Sequence, residues 1–192
     1  KISDTEMRHL EKLVASYAGS ITVRSYPRFN AQVSTLDIKN GISEYRKLKG
    51  YNPDIVIVDS MDLLTDANRR SWGADHERAK RIAVANDLKD LAADEKVWMV
   101  VTYQSTIEDR EWLNDERNVL TEYNCSEAKG LARPCTHLVS LNQSSAERKE
   151  NVMRLHVAKS RFFKKGDTIR IATDYDYEVF YDGQRTLNLN SE

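Results

Sequence analysis

The run "NPDIVIVDSMDLL", Asn52 to Leu64, decides how the rest of the chain is read. Four aliphatic residues, Ile55 to Val58, lead without a polar break into Asp59, and a second carboxylate, Asp62, follows three positions later. A continuous β-branched run predicts a strand buried on both faces, the habit of parallel sheets. Ending such a strand in a carboxylate has two readings. The ordinary one is a solvated turn, since aliphatic runs ending in Asp are common in α/β proteins. The other is the metal side of a nucleotide site, because Mg²⁺ keeps several waters and takes few protein ligands. Asp62 acquires no chemical role on either reading and is taken as a turn residue.

Working outward, "VWMVVTYQ" (Val97 to Gln104) is a second continuous apolar run and closes on a neutral amide. Ala79, Ile82, Ala85, Leu88, Leu91 and Ala92 recur at helical spacing between the two. Upstream, Ser34 is an N-cap for a helix with Leu36, Ile42, Tyr45 and Leu48 on one face, stopped at Gly50. "ITVRSYP" (Ile21 to Pro27) alternates like a strand, and Ser3 and Glu6 open a helix through Met7, Leu10, Leu13, Val14 and Tyr17 to Gly19. Aliphatic strands alternating with helices predict an α/β fold whose mostly parallel central sheet is covered on both faces. Ligands of such sheets gather outside the carboxyl ends of the strands, where Asp59 and Gln104 stand.

From Ser105 to Pro134 the chain is polar and aperiodic, with a helix expected over Glu122 to Ala132; a connection this long is usually functional or disordered. Beyond it "THLVSLN", "NVMRLHVAKSR", "DTIRIAT" and "YEVFYD" read as short strands, with turns at Lys165-Gly166-Asp167 and Asp182-Gly183. They predict a C-terminal antiparallel extension of the sheet.

The 192 residues fit one domain, long enough to bury roughly 70% of its unfolded surface. No apolar run approaches the ~18 residues of a membrane span and no signal peptide is visible, so a cytoplasmic setting without membrane attachment is expected. Cys125 and Cys135 cannot staple a domain of this size, and with His137 they match no zinc ligand spacing. The formal net charge of −1 gives no global case for nucleic acid, but Arg148 to Arg170 holds eight basic residues against two acidic ones. Within it Lys159 and Arg161 alternate on one side of a strand, a spacing that suits a polyphosphate as well as an exposed strand face. Gln104 could donate to a γ-phosphate or orient a water, or be an ordinary polar residue at a strand end.

Four stretches, in this order, resemble the RecA-like ATPase core of hexameric replicative DNA helicases of the DnaB and phage primase-helicase types. "PDIVIVDSMDLL" resembles their Walker B strand, and "HERAKRIAVANDLKDLAADEKVWMVVTYQS" their "LKxLA" helix and the strand ending in the sensor residue. "SEAKGLARPCTHLVSL" is similar to the segment before the next core strand, and "AKSRFFKKGDT" to the "K-x-R-F/N-x-G-x-T" element that carries an arginine finger. The element after Arg161 is two residues longer than the phage-type pattern. The resemblance implies a RecA-like three-layer α/β/α fold that binds ATP or another NTP with Mg²⁺. Asp59 would hold the metal through water, Gln104 would sense the γ-phosphate, and Arg161, with Lys159 beside it, would reach the neighbouring subunit's nucleotide. It further implies a homo-oligomeric, hexameric ring and single-stranded DNA gripped by Ser105 to Pro134 through Lys129 and Arg133, with primase as a candidate partner. That segment has seven acidic and four basic residues, so its DNA role comes from the resemblance alone. The Walker A loop, GxxxxGK followed by Ser or Thr, and the catalytic glutamate after it have no match in the chain, and both are expected upstream of Lys1. Within the same fold a RecA/RadA-like recombinase or KaiC-like ATPase is an alternative. A non-catalytic RecA-like module regulating a helicase is another.

Overall fold

The two apolar runs pair as expected. Ile55–Val58 forms β1 and Trp98–Val101 forms β2, parallel and in register from Ile55↔Trp98 to Val58↔Val101. The computed structural model describes residues 19–26, 33–66, 77–105, 109–124, 130–176 and 179–182. The helix expected through Tyr17 and the turn at Gly183 lie outside these residues. The chain divides into two units, 1–31 and 32–192.

In the first unit residues 19–26 form no strand, and Ile21 and Val23 are exposed. The alternation in "ITVRSYP" is therefore not a strand signal here. Alternation marks a face only where a ladder partner and a core lie against it.

The second unit begins with α1 (Thr35–Lys49). Ser34 and Asp37 make a reciprocal capping box, and Gly50 ends the helix at φ 80°, a left-handed conformation that glycine adopts without steric cost. Its inward face is Ile38 and Ile42, whereas Leu36 and Leu48, expected inside, are exposed. After β1 a single 3-10 turn, Met61–Leu63, precedes Leu64. Helix α2 (Glu77–Glu95) then packs Val84, Ala85 and Leu88 against Val58, Met61 and Leu64, with Val56, Met99 and Val101 beside them. Val84 and Leu88 are 2% and 3% exposed, which makes this seam the centre of the core. Lys96 at φ 56° closes the helix, and Val97 N–H donates to the Ala92 carbonyl. Arg46 from the last turn of α1 pairs with Glu95 from the last turn of α2 and bonds Asn52. No described helix is long and apolar enough to cross a membrane.

Only one face of the β1–β2 pair is covered. Ile55, Ile57, Trp98 and Val100 share the opposite face and are exposed, Trp98 by 79%. The expectation of a sheet sealed on both sides is not met within this chain.

The remaining strands form a second sheet, antiparallel in the order β3 (His137–Asn142), β4 (Val152–Ser160), β5 (Thr168–Asp174), β6 (Val179–Asp182). Its hydrogen-bond ladder is separate from that of β1–β2. The pattern of burial is unusual. The row Asn142, Arg154 and His156 is buried, while Val139, Leu141 and Ile169 on the other face are exposed. The buried polar face survives because it is paired. Arg154 Nε lies 2.7 Å from Glu147 Oε1, with side chains 7% and 0% exposed, and its Nη1 donates to the carbonyls of Glu116 and Asn118 at 2.6 and 2.9 Å. Glu147 also closes a capping box with Ser144 at the start of α4 (Ser145–Lys149), a helix the sequence reading omitted.

A buried charge stripped of its partner is strongly destabilising. Glu147→Ala is expected to cost about 3–5 kcal/mol in urea unfolding. A loss under about 1 kcal/mol would show that the pair does not hold this sheet.

Candidate functional site

The register of β1 and β2 brings their carboxyl ends to the same level. Thr102 N–H donates to the Val58 carbonyl, and Met61 N–H donates to the Thr102 carbonyl, both at 3.1 Å. This places the Thr102 hydroxyl beside Asp59, where it donates to Oδ1 at 2.6 Å. Two strand lengths later Gln104 N–H donates to Asp62 Oδ2 at 3.2 Å. Asp59 and Gln104 are therefore gathered at one sheet end, both exposed. Asp62, read from sequence as a turn residue, does lie in the 3-10 turn but also braces the segment that carries Gln104. Thr102 was missed altogether. Its signal was the equal length of the two apolar runs, which aligns the residue after β2 with the residue after β1. The Asp59–Ser60 peptide is cis.

The chemistry of this end suits a water-held cation. One oxygen of Asp59 is occupied by Thr102, and Oδ2 has no protein partner among the described residues. No group of three or more His, Cys, Asp or Glu among the described residues could cage an ion. The donor set thus fits a metal held by one carboxylate, water and a phosphate, the usual habit of Mg²⁺. The Gln104 side-chain amide makes no hydrogen bond among the described residues. Tyr103 between them packs on the core and accepts a bond from Arg81 of α2 at 3.1 Å.

Lys159 and Arg161 stand at the end of β4 and are held elsewhere. The Lys159 ammonium donates to the carbonyl of Ala132 and, at 3.2 Å, to that of Arg133. Arg161 Nη2 donates to the same Arg133 carbonyl at 3.1 Å. Neither cation contacts Asp59 or Gln104. Their bonds cap the turn over residues 130–134, and with Glu122 and Tyr123 they border a cavity of ≈ 200 Å³. Arg133 is exposed, and Lys129 lies outside the described residues.

The turn is pinned from its other side by α2. Leu131 belongs to the core cluster, and Gly130 approaches Ile82 so closely that an added Cβ would stand 2.5 Å from Ile82 Cδ1. Gly130→Ala is expected to destabilise by roughly 1–3 kcal/mol through overpacking. Ile82→Val, which removes Cδ1, should recover part of the loss in a double-mutant cycle by thermal unfolding. Strictly additive effects would show that the two residues do not meet.

The helix expected over Glu122 to Ala132 is not formed in its described parts. Residues 122–124 and 130–132 are turns. Asn124 Oδ1 accepts from both the backbone N–H and the hydroxyl of Thr121 at 2.7 and 2.8 Å, which diverts the backbone from helix. The helical part lies earlier, at α3 (Arg110–Asn114), where Asp109 Oδ1 accepts from the N–H groups of Glu111 and Trp112. Asp115 follows, and the side-chain hydrogen bond from Arg117 holds its carboxyl at about 2. A folded value below the unfolded one stabilises above the ordinary carboxylate range, and the contribution is lost as pH falls through about 2. Arg117→Ala should return the Asp115 titration, followed by carbon NMR, toward the usual carboxylate range. An unmoved titration would assign the shift to another cause. Nearby, burial pushes the Cys135 thiol up, and Lys159 opposes that only in part.

No protein-family model matches the chain. No curated protein matches it either. Solved structures do. The chain aligns with the ATPase domain of a DnaB-like helicase at a TM-score of 0.62 and 21% identity, over 78% of this chain and 51% of that one. A DnaB-like replicative helicase, solved to describe its interactions with primase, aligns at 0.61 and 22%, over 78% of this chain and 36% of the other. The chain thus spans about half the length of the first and about a third of the second. At these identities the likeness is one of fold, and the fold is that of a RecA-like helicase ATPase core.

Proposed function

We propose that the chain is part of an ATP-dependent, ring-forming replicative DNA helicase, and that it supplies the Walker B side of the nucleotide site. One observation carries the reading: Asp59 and Gln104, on adjacent parallel strands, are held at one sheet end by Thr102 and Asp62. Strand ends in such sheets are where nucleotides bind, and the fold supports the same placement. Asp59 would hold Mg²⁺ through water. Gln104, its backbone anchored and its amide free among the described residues, would meet the γ-phosphate. Hydrolysis transfers the phosphoryl group to water: an oxygen–phosphorus bond forms from the water as the bond to the β-bridging oxygen breaks, yielding ADP and phosphate. The Walker A cradle would come from polypeptide outside this chain, so the 192 residues form one RecA-like domain fragment with little turnover of their own.

Arg161 is the proposed finger, with Lys159 beside it, acting on the nucleotide of a neighbouring copy in a hexameric ring. In the present arrangement both cations cap the turn that carries Arg133. Reaching a phosphate would release that turn, a direct route from nucleotide state to the segment that, with Lys129 and Arg133, would grip single-stranded DNA. A cytoplasmic setting accords with these partners, and primase is a candidate among them.

In the intact protein, Arg161→Ala should lower DNA-stimulated ATPase activity by roughly 10³-fold or more. Nucleotide binding, measured by fluorescent-analogue titration, should be largely kept. Wild-type turnover would overturn the finger assignment, and robust hydrolysis by the 192-residue chain alone would overturn the division of the site.

A further inference from the structure

The tip of the β4–β5 hairpin carries two adjacent phenylalanines in water. Phe162 is 81% exposed and Phe163 is 59% exposed. Large apolar side chains at a hairpin tip are a poor choice for a surface that only meets solvent. The tip is also shaped. Ser160 Oγ accepts from the backbone N–H groups of both Phe162 and Phe163, at 3.3 and 3.0 Å. Gly166 at φ 96° turns the chain back, and its N–H donates to the Val157 carbonyl at 2.9 Å. Phe163 is seated on the His137 imidazole at the start of β3, with ring centroids 4.6 Å apart and planes 9° from parallel. Phe162 stands beside the same imidazole at 5.7 Å and 58°, with most of its surface open.

The charge around these rings has one sign. From Lys159 to Asp167 there are four cations and one carboxylate, in a chain whose net charge is −1. Lys164 pairs with Asp167 at 3.4 Å and Lys165 with Glu122 at 3.9 Å. Exposed pairs of this kind are weak and are readily exchanged for a stronger anion. Open aromatic faces flanked by mobile cations match the two chemistries of a single-stranded nucleic acid, base faces and phosphates. A protein partner would be served as well by the rings but gains nothing from the flanking lysines unless it is itself acidic.

We propose that this hairpin tip binds single-stranded nucleic acid, with Phe162 and Phe163 stacking on bases and Lys164 and Lys165 meeting phosphates. The site uses residues outside Ser105 to Pro134 and does not depend on the chain's being part of a motor, so a failed ATPase experiment leaves it standing. The test is fluorescence anisotropy of the 192-residue chain with an end-labelled oligothymidylate of about 16 nucleotides, across a salt series. Phe162→Ala and Phe163→Ala should each weaken binding roughly tenfold and leave the salt slope unchanged. Phe162→Trp should retain the affinity. Lys164→Ala with Lys165→Ala should flatten the slope of log affinity against log salt by about 1.4, at ~0.7 per phosphate contact. Alanine variants that bind as tightly as wild type would overturn the proposal, as would absence of wild-type binding at low salt. So would a loss of self-association in sedimentation velocity with oligothymidylate affinity intact, which would make the tip a contact between copies.

Discussion

Everything at the site end of this chain depends on one packing seam, α2 against the inner face of β1 and β2. A two-stranded parallel pair is not stable in water by itself, since it lacks both a short turn and a second apolar layer. Val84, Ala85 and Leu88 supply that layer to Val58 and Met61. The seam does more than bury area. It holds β1 and β2 in a register in which a hydroxyl one residue past β2 meets a carboxylate one residue past β1. A slip of one position would turn Val56 and Val58 away from α2 and separate Thr102 from Asp59. The polar geometry is thus a consequence of apolar fit.

The parts of the fold legible in sequence were those where a local rule and the tertiary environment agree. Ser34 and Asp37 cap α1 with their own atoms, and Gly50 ends it through its own backbone freedom. The strands β3 to β6 lie where the apolar runs and glycine turns put them. The expectation failed at Ile21 to Tyr26, where alternation had no core to face, and at Leu36 and Leu48, apolar residues on the outer side of a helix. It failed also between Glu122 and Ala132, where Asn124 and Thr121 settle their hydrogen bonds within a turn.

The site was half legible for a related reason. Asp59 and Gln104 are marked by the strands that end in them, a one-dimensional signal. Thr102 and Asp62 matter only through contacts across 43 and 42 positions of sequence. Lys159 and Arg161 were identified as cations on one strand, but their partners are backbone carbonyls of Ala132 and Arg133, and carbonyls leave no trace in residue identity. The same holds for Arg154. A lone basic residue in an apolar strand reads as a flaw until Glu147 and two further carbonyls are seen around it.

The uncovered wall formed by Ile55, Ile57, Trp98 and Val100 has a consequence for the chain's behaviour as a substance. A layered structure that stops at an apolar surface keeps interfacial tension with water at its boundary. Nearly balanced charge offers little long-range repulsion to keep two such boundaries apart. Colloidal stability in solution is therefore set by this wall rather than by the core behind it. Crowded polypeptide will tend to clasp face to face well before the seam between α2 and β1 begins to melt.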